Sequence, residues 1–556
     1  MASGNAVTDP SLVDRTNLCS SDARSNTPVG LPTLPSERKR GSQLELSGHE
    51  KKRVKLEWPK SDKSCAAQLP DDDSDDDGEP TGTGYATKAS RYSVYSSLAR
   101  VASGCPSRTT YHLDLSTRPI LQFFVSSNKS DVFRCYSDNV ESFVNIPYAC
   151  AYSNDAKRGG RPLLAVATEQ GSVDIIDTSR RNDWDFEPQR LTVQPHANGI
   201  FDVKWSPSDT LLATASGDHS IRITTLSSSV LSQERTLHTL RGHEGTVKAV
   251  AWDPSHDGAV LCTGGRDGGI CLWDLRVGEH SAEGGMAPVL SIPKAHDLER
   301  KTARPRGSRG KVVAGTPLPG ITHLLYTDTH PHGIVSSCSS DGILNLWDVR
   351  LPSTNTRTRS KKTAKQHPKP LCTSVDPTSY GGARRGRGIT TLAHGAGPTA
   401  SLVFALGIDS RVHTYSLPTL KALSGYTPLV TPGADGPEME DPHAFYDSRM
   451  KTNSFYVRMA ASPCGQWLAC GGAVDGKAYL YDISAAGRTR GMSGVRGVEL
   501  KGQTGEVGAV DWADGMLATC ADDGTVRVWR PDLDVSRQCR DDPEEMKWNW
   551  AWSTDV

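Results

Sequence analysis

An all-β fold, a seven-bladed propeller, is predicted by a module that recurs seven times in this 556-residue chain. Each copy reads as an apolar strand, a second strand, a tight turn and a third strand. The seven turns fall at Gln170-Gly171, Asp218-His219, Asp267-Gly268, Asp341-Gly342, Asp409-Ser410, Asp475-Gly476 and Asp523-Gly524. An aromatic residue follows five of the turn Asp residues by six positions, at Trp273, Trp347, Tyr415, Tyr481 and Trp529. One such sheet cannot bury both of its faces, so seven stacked in a ring would share a continuous core.

Composition excludes several other classes of protein. Hydrophobic residues make up 36% of the chain and the net charge is −1, which indicates an ordinary core diluted by long polar segments. No apolar run is long enough for a membrane span or a signal peptide. The 13 Cys residues show no CxxC spacing. This pattern indicates a reducing compartment and argues against a disulfide framework or a zinc site, so we predict no metal and no cofactor.

Residues 1–110 are predicted to be a disordered tail, and 111–553 the propeller, because the tail is rich in Ser, Thr, Gly, Pro and charge. Two basic clusters in the tail are spaced like a bipartite nuclear-import signal, which would reach two acidic grooves of an import receptor. Their residues are Arg38, Lys39, Arg40, Lys51, Lys52, Arg53 and Lys55. We therefore expect a nuclear protein, with an ordinary basic stretch as the alternative. The acidic run 71–77 around Ser74 is either a solvated linker or a phosphorylation site.

The dense apolar segment 117–124 has two interpretations. It can supply the outer strand of the last blade and so close the ring. Alternatively, Ile120, Phe123 and Phe124 fit a sliding-clamp (PCNA) binding box, although Thr117 stands where that box requires Gln.

The segment from Leu261 to Arg276, with Gly242-His243 about 20 residues upstream, resembles a WD40 repeat, whose period is about 40–45 residues. In that family a His, a Ser or Thr, the turn Asp and the Trp form a hydrogen-bonded chain that locks one blade. The matching residues of two successive blades are His243, Thr263, Asp267 and Trp273, then His296, Ser337, Asp341 and Trp347. The His–Asp pairs are therefore interpreted as structural. The chain contains no GxSxG, HExxH or Walker motif, so we predict a binding protein and not an enzyme.

Two adjacent blades end in the same motif. Trp273-Asp274-Leu275-Arg276 and Trp347-Asp348-Val349-Arg350 place Asp274, Arg276, Asp348 and Arg350 just beyond equivalent strands. Both Arg side chains should project side by side on the bottom of the ring, as an interface anchor. The alternative is a pair of surface salt bridges, each worth about 0–1 kcal/mol.

Basic inserts interrupt the repeat near 299–311 and 357–387. Those that precede a first strand belong to loops on the opposite, top face. Their Lys and Arg residues would contact DNA phosphates without sequence preference, unless they are merely solvated. The residues proposed for this surface are Arg300, Lys301, Arg304, Arg306, Arg309, Lys311, Arg384, Arg385 and Arg387.

The tandem WDxR motifs resemble those of substrate receptors of cullin-four RING ubiquitin ligases. Among these receptors the chain is similar to the denticleless family, through stretches such as VLCTGGRDG, SSDGILNLWDVR and SFYVRMAASPCGQWLACGG, and through the basic insert after Ala295-His296. The resemblance implies a non-catalytic subunit whose bottom face binds the triple-propeller, damaged-DNA-binding (DDB-type) adaptor. It also implies that substrates bound to PCNA on DNA, including a replication-licensing factor, are recruited for ubiquitination in S phase and after DNA damage.

Three other functions remain as alternatives. A nuclear WD40 scaffold that binds chromatin or histones without a ligase comes first. Nucleic-acid binding as the principal function is weaker, because no aromatic residues are interleaved with the basic ones. A propeller enzyme comes last. The resemblance leaves the substrates and the residues that read them unassigned.

Overall fold

The computed structural model describes the propeller and the segment before it. The described residues are 116–137, 144–181, 190–226, 235–277, 280–281, 285–296, 319–350, 369–379, 387–421, 423, 443–486, 495–543 and 551–553. The predicted disordered tail, with its import clusters and acidic run, lies outside them, as does the insert 299–311. Within the insert 357–387, only 369–379 and Arg387 are described.

Seven antiparallel sheets of four principal strands form the ring, which confirms the prediction of seven blades. Blades one to three are formed by Pro147–Tyr152, Leu163–Thr168, Val173–Asp177 and Leu191–Val193; Ile200–Trp205, Leu211–Ser216, Ser220–Thr225 and Thr236–Arg241; and Val247–Trp252, Val260–Gly265, Ile270–Asp274 and Leu290–Ile292. Blades four and five are formed by Ile321–Thr327, Gly333–Cys338, Asn345–Asp348 and Cys372–Thr373; and Ile389–His394, Leu402–Gly407, Arg411–Ser416 and Phe445–Tyr446. Blades six and seven are formed by Met459–Ala461, Trp467–Cys470, Lys477–Asp482 and Val498–Lys501; and Val507–Ala513, Met516–Ala521, Thr525–Pro531 and Phe124–Ser126.

The fourth strand of blade seven comes from the segment that precedes blade one. Phe124–Ser126 pairs antiparallel with Thr525–Pro531, and Ala551–Trp552 pairs with its outer edge. Phe124 is fully buried, with its ring edge-on to Trp467 and Trp512 at centroid distances of 5.8 and 5.7 Å. A buried ring cannot enter a pocket of another protein. The segment 117–124 is therefore the ring-closing element rather than a clamp-binding box.

Short elements decorate the ring. The helices are Arg118–Leu121, Asn154–Lys157 and Leu533–Asp541; the 3₁₀ turns are Lys129–Asp131, Pro377–Ser379 and Gly397–Thr399; the accessory strands are Val132–Arg134, His280–Ser281 and Gly285–Met286. Asp532 caps the longest helix by accepting the Val535 N–H at 3.1 Å. No helix in the described ranges is long and apolar enough to cross a membrane.

Neighbouring blades are joined by a hydrogen bond that recurs at the end of the first strand. A buried Trp there donates its indole N–H to a carbonyl in the first strand of the preceding blade. The three pairs are Trp205 with Ala151 at 2.9 Å, Trp252 with Lys204 at 3.1 Å and Trp512 with Ala460 at 3.0 Å. Each bond gives the indole N–H of a buried Trp a hydrogen-bond acceptor inside the core. These bonds also hold blades one, two and three, and blades six and seven, in a common register.

The two faces of the ring follow from strand direction. Because successive strands in a blade are antiparallel, the start of the first strand lies on the same face as the turn between the second and third strands. We call this the top face. The ends of the first and third strands lie on the other side, the bottom face. The turn Asp267 is thus on the top face, and Arg276 is on the bottom.

Candidate functional site

The predicted lock of blade three is present as a continuous chain of hydrogen bonds. The indole N–H of Trp273 donates to Thr263 Oγ1 at 2.8 Å, and Thr263 Oγ1 lies 2.8 Å from His243 Nε2. His243 Nδ1 lies 3.1 Å from Asp267 Oδ2. Burial, the largest single effect, would lower the pKa of His243, but the hydrogen bond that His243 donates to Asp267 and the interactions with Cys271 together outweigh burial and raise the pKa to about 9. The chain is enclosed and fully paired, which suits blade stability.

In blade four the prediction of Ser337 was wrong, because Ser336 takes that place. Ser336 Oγ accepts the Trp347 indole N–H at 2.9 Å and lies 2.9 Å from His296 Nε2. Ser337 instead bonds Thr322 at 2.9 Å. Asp341 follows Ser336 by five positions, whereas Asp267 follows Thr263 by four. The turn therefore contains one extra residue, and counting back from the Asp selects the wrong Ser.

The assignment of Asp341 to the lock was also wrong, because a thiol lies between it and the imidazole. The Cys338 thiol donates to Asp341 Oδ1 at 3.1 Å, while His296 Nδ1 is approached by Asn345 Nδ2 at 3.4 Å. Gly265 is the counterpart of Cys338 in blade three. A Cβ at Gly265 would lie only 2.6 Å from Asp267 Oδ1 and 2.7 Å from His243 Nδ1. A side chain at this position therefore separates the His from the Asp.

The separation changes the charge of the His. Burial lowers the pKa of His296 to about 4, and the opposing effect of Asp341 is too small to restore it. His243 is thus an imidazolium paired with Asp267 at neutral pH, whereas His296 is a neutral imidazole.

Other blades use variants of the same lock. In blade two, His196 lies 2.8 Å from Asp218 and 2.9 Å from Thr214. In blade seven, Gln503 replaces the His and its Oε1 accepts the Thr519 hydroxyl at 2.7 Å.

The bottom face presents two Arg side chains, each held by its own motif. The guanidinium of Arg276 contacts both oxygens of Asp274, at 2.8 and 2.7 Å, and its side chain is 61% exposed. Arg350 Nε lies 3.6 Å from Asp348 Oδ1, and its side chain is 60% exposed. The pairing of Arg276 uses two of its five N–H groups and leaves three for another molecule. Both Arg residues therefore combine a salt bridge with an exposed donor surface.

Two His residues on the same face were missed by the sequence analysis. His256 and His332 occupy the turns between the first and second strands of blades three and four, and their ring centroids are 5.9 Å apart. His256 Nδ1 lies 2.9 Å from Asp253 Oδ2. No motif marks either His, so only the alignment of the two turns could have found them. We call Arg276, Arg350, His256 and His332 the bottom-face patch.

The top face carries an aromatic cluster that the sequence analysis also missed. Tyr148, Phe201 and Tyr456 form a triangle with ring centroids 5.5, 5.6 and 6.1 Å apart. Lys248 Nζ lies 3.3 Å from the Phe201 ring centroid and 4.9 Å from that of Tyr456. Arg458 bonds the Phe201 carbonyl at 2.7 Å.

This top-face aromatic cluster lies at the mouth of the central channel, because its residues come from the start of first strands or just before them. Its five side chains are contributed by blades one, two, three and six. Clustered rings with a cation are typical of interface anchors.

The predicted basic surface on the top face is described at only one position. Arg387 is exposed, and its backbone N–H donates to Thr378 Oγ1 at 2.7 Å. Arg300, Lys301, Arg304, Arg306, Arg309, Lys311, Arg384 and Arg385 lie outside the described residues. The DNA-facing surface stays a prediction.

Comparison with known proteins places the chain in a family. Residues 188–224, 234–274 and 494–530 match the family model "WD domain, G-beta repeat". The fission yeast Schizosaccharomyces pombe cell division cycle protein cdt2 is 30% identical over 403 residues, which cover 70% of this chain and 69% of that protein. The chain belongs to the denticleless family.

Other denticleless proteins are similar over comparable lengths of this chain. Xenopus laevis denticleless protein homolog A is 29% identical over 413 residues, 72% of this chain and 50% of that protein. Drosophila melanogaster protein lethal(2)denticleless is 29% identical over 390 residues, 68% of this chain and 44% of that protein. The chain thus spans about half the length of these animal relatives. One relative is named as a cell division cycle protein.

Proposed function

We propose that this denticleless-family propeller is the substrate receptor of a cullin-four RING ubiquitin ligase and that its bottom face binds the DDB-type adaptor. The bottom-face patch carries this proposal. Arg276 and Arg350 lie at equivalent positions of adjacent blades, and both are about three-fifths exposed. An Arg whose rotamer is already fixed loses less entropy on binding than a free side chain. Its planar fork also matches carboxylate and carbonyl acceptors.

The top face would then be available for substrate. The top-face aromatic cluster offers ring faces at the channel mouth, and Tyr456 is 38% exposed. Arg387, which lies just before the first strand of blade five, is exposed on the same face, which would suit a substrate held on PCNA and DNA. In this account the chain contributes no catalysis and acts in the nucleus, where it selects replication-licensing substrates in S phase and after DNA damage.

An affinity purification tests the proposal. The tagged full chain is isolated from nuclei of S-phase cells, and its partners are identified by mass spectrometry. A cullin and the triple-propeller adaptor should co-purify. Recovery of histones with neither ligase component would support a chromatin scaffold and contradict the proposal.

A top-face variant separates the two faces. Tyr456→Ala should lower the recovery of clamp-bound substrate while leaving cullin and adaptor at the level of the parent chain. Equal loss of substrate and adaptor would mean that Tyr456 acts through the fold and not as a substrate contact.

A further inference from the structure

Three side chains of different chemistry meet in the top-face turn of blade four. His296, Cys338 and Asp341 each bring one ligand atom, and these atoms lie within 4.8 Å of one another. Within the described part of the chain, this is the one group of three or more His, Cys, Asp or Glu side chains with that spacing. Cys338 occupies the position of Gly265 in blade three, and the extra residue of the turn lies between Cys338 and Asp341. The sequence offers no CxxC spacing to reveal it.

The neutral His296 imidazole has one lone pair, and its hydrogen-bond partners assign that lone pair to Nδ1. Asn345 Nδ2 faces both the Ala295 carbonyl and His296 Nδ1 at 3.4 Å, while Asn345 Oδ1 accepts the Thr373 hydroxyl at 2.9 Å. This arrangement fixes the amide with its donor towards Nδ1. The proton of the neutral His296 is then on Nε2, where Ser336 Oγ accepts it. A His held in this way by its other nitrogen is the usual form of a metal ligand.

The cluster is not arranged for nucleophilic catalysis. The Cys338 side chain has no exposed surface, and burial raises the pKa of its thiol to about 12. A substrate cannot reach the sulfur, and the thiolate form is disfavoured. What remains is a buried set of one nitrogen, one sulfur and one carboxylate ligand.

We propose that His296 Nδ1, Cys338 Sγ and an Asp341 carboxylate oxygen bind Zn²⁺. A mixed N, S and O set suits zinc, whereas Ca²⁺ and Mg²⁺ require oxygen ligands. The Cys338 thiol now donates its proton to Asp341 at 3.1 Å. On binding, zinc takes the place of that proton, which leaves to solvent. The Ser340 hydroxyl, 3.3 Å from Cys338 Sγ and 3.2 Å from Asp341 Oδ2, or a water would complete a four-coordinate site.

The ion would crosslink two segments of the top face of blade four. His296 precedes the segment 297–318, which carries the first basic insert, while Cys338 and Asp341 belong to the turn between the second and third strands. Zinc would join the start of that segment to the turn. It would thereby replace the His–Asp bond that blade four lacks.

Zinc titration of the full chain tests this site without any ligase partner. Metal is first removed by dialysis against a chelator, and Zn²⁺ is then added in competition with a chromophoric chelator. Co²⁺ binding is followed in parallel through the thiolate-to-cobalt charge-transfer band. The variants are Cys338→Ala and Asp341→Asn. The matched control is Cys470→Ala, which removes another fully buried thiol.

The parent chain and Cys470→Ala should bind about one zinc more per chain than Cys338→Ala does, with a cobalt–thiolate band that Cys338→Ala lacks. Asp341→Asn should weaken zinc binding by about 10-fold or more. Equal zinc uptake by the parent and Cys338→Ala, or a charge-transfer band that survives in Cys338→Ala, would overturn the proposal. If Cys338→Ala does not fold, a parent chain without a cobalt–thiolate band overturns it equally.

Discussion

The guanidinium of Arg276 donates hydrogen bonds to both carboxylate oxygens of Asp274, with Nε 2.8 Å from Oδ1 and Nη2 2.7 Å from Oδ2. The backbone N–H of Arg276 also donates to Oδ1 at 3.0 Å, so Asp274 holds both the main chain and the side chain of Arg276. Arg350 is held more loosely, with 3.6 Å between its Nε and Asp348 Oδ1. Arg276 is therefore the better oriented of the two bottom-face Arg residues.

Loss of that orientation should weaken adaptor binding. Asp274→Asn keeps the shape of the carboxyl group but removes its charge, so the Arg276 side chain gains rotamers that must be frozen on binding. We expect a loss of about 1 kcal/mol, or roughly 5-fold in affinity, measured by calorimetry or surface plasmon resonance. Asp177→Asn is the control, because Asp177 pairs with the exposed Arg161 at 2.9 Å on blade one. An equal loss in both variants would contradict a specific role for Asp274.

The corrected lock of blade four predicts a difference between adjacent Ser residues. Ser336→Ala removes the shared partner of Trp347 and His296 and should lower the free energy of unfolding by about 1–3 kcal/mol. Ser337→Ala removes only a bond to Thr322 and should have an effect below about 1 kcal/mol. Denaturant unfolding of the two variants measures the difference. A larger effect of Ser337→Ala than of Ser336→Ala would mean that Ser337, and not Ser336, is the lock residue.

Closure of the ring predicts a second matched pair. Phe124→Ala deletes a fully buried ring between Trp467 and Trp512 and should destabilise the protein by about 3–5 kcal/mol. Phe123 is only partly buried, so Phe123→Ala should have a much smaller effect on the melting temperature. Similar melting temperatures for Phe124→Ala and the parent chain would mean that this segment does not close the ring.

The His243–Asp267 pair predicts a pH dependence of stability. Because the pKa of His243 is raised from 6.5 to about 9 in the folded protein, its contribution is complete below pH 6.5 and is lost as the pH rises through 9. The variant to compare with the parent chain is His243→Gln, because Gln503 occupies the equivalent position in blade seven. The stability advantage of the parent over His243→Gln should shrink by on the order of 1–3 kcal/mol between pH 6.5 and 9.5. An advantage that does not change over this range would contradict an ion pair at this position.

The sequence predicts what repeats at a fixed interval. The seven turns follow from spacing, because the first three strands of every blade come from one continuous stretch of chain. The lock of His243, Thr263, Asp267 and Trp273 follows from the resemblance to a WD40 repeat. Spacing fails at Ser337, where one extra residue in the turn shifts the count. The ring-closing role of Phe124 had a competing interpretation until its burial was known.

Contacts between blades were harder to predict. The indole bonds of Trp205, Trp252 and Trp512 cross from one blade to the preceding one, so no single repeat contains both partners. The aromatic cluster likewise joins Tyr148 to Tyr456, which lie on different blades and far apart in the chain. Such sites depend on the order of blades around the ring rather than on the pattern within one blade.

Anchoring of the adaptor by the bottom-face Arg pair is our proposal. Its most direct test is the affinity of the purified chain for the triple-propeller adaptor, compared between the parent and the double variant Arg276→Ala with Arg350→Ala. Arg161→Ala is the control, since Arg161 is 68% exposed and also pairs with an Asp at the end of a third strand. With thermal unfolding unchanged, the double variant should bind about 30-fold or more weakly, while Arg161→Ala should bind like the parent. Parental affinity in the double variant would mean that Arg276 and Arg350 do not anchor the adaptor.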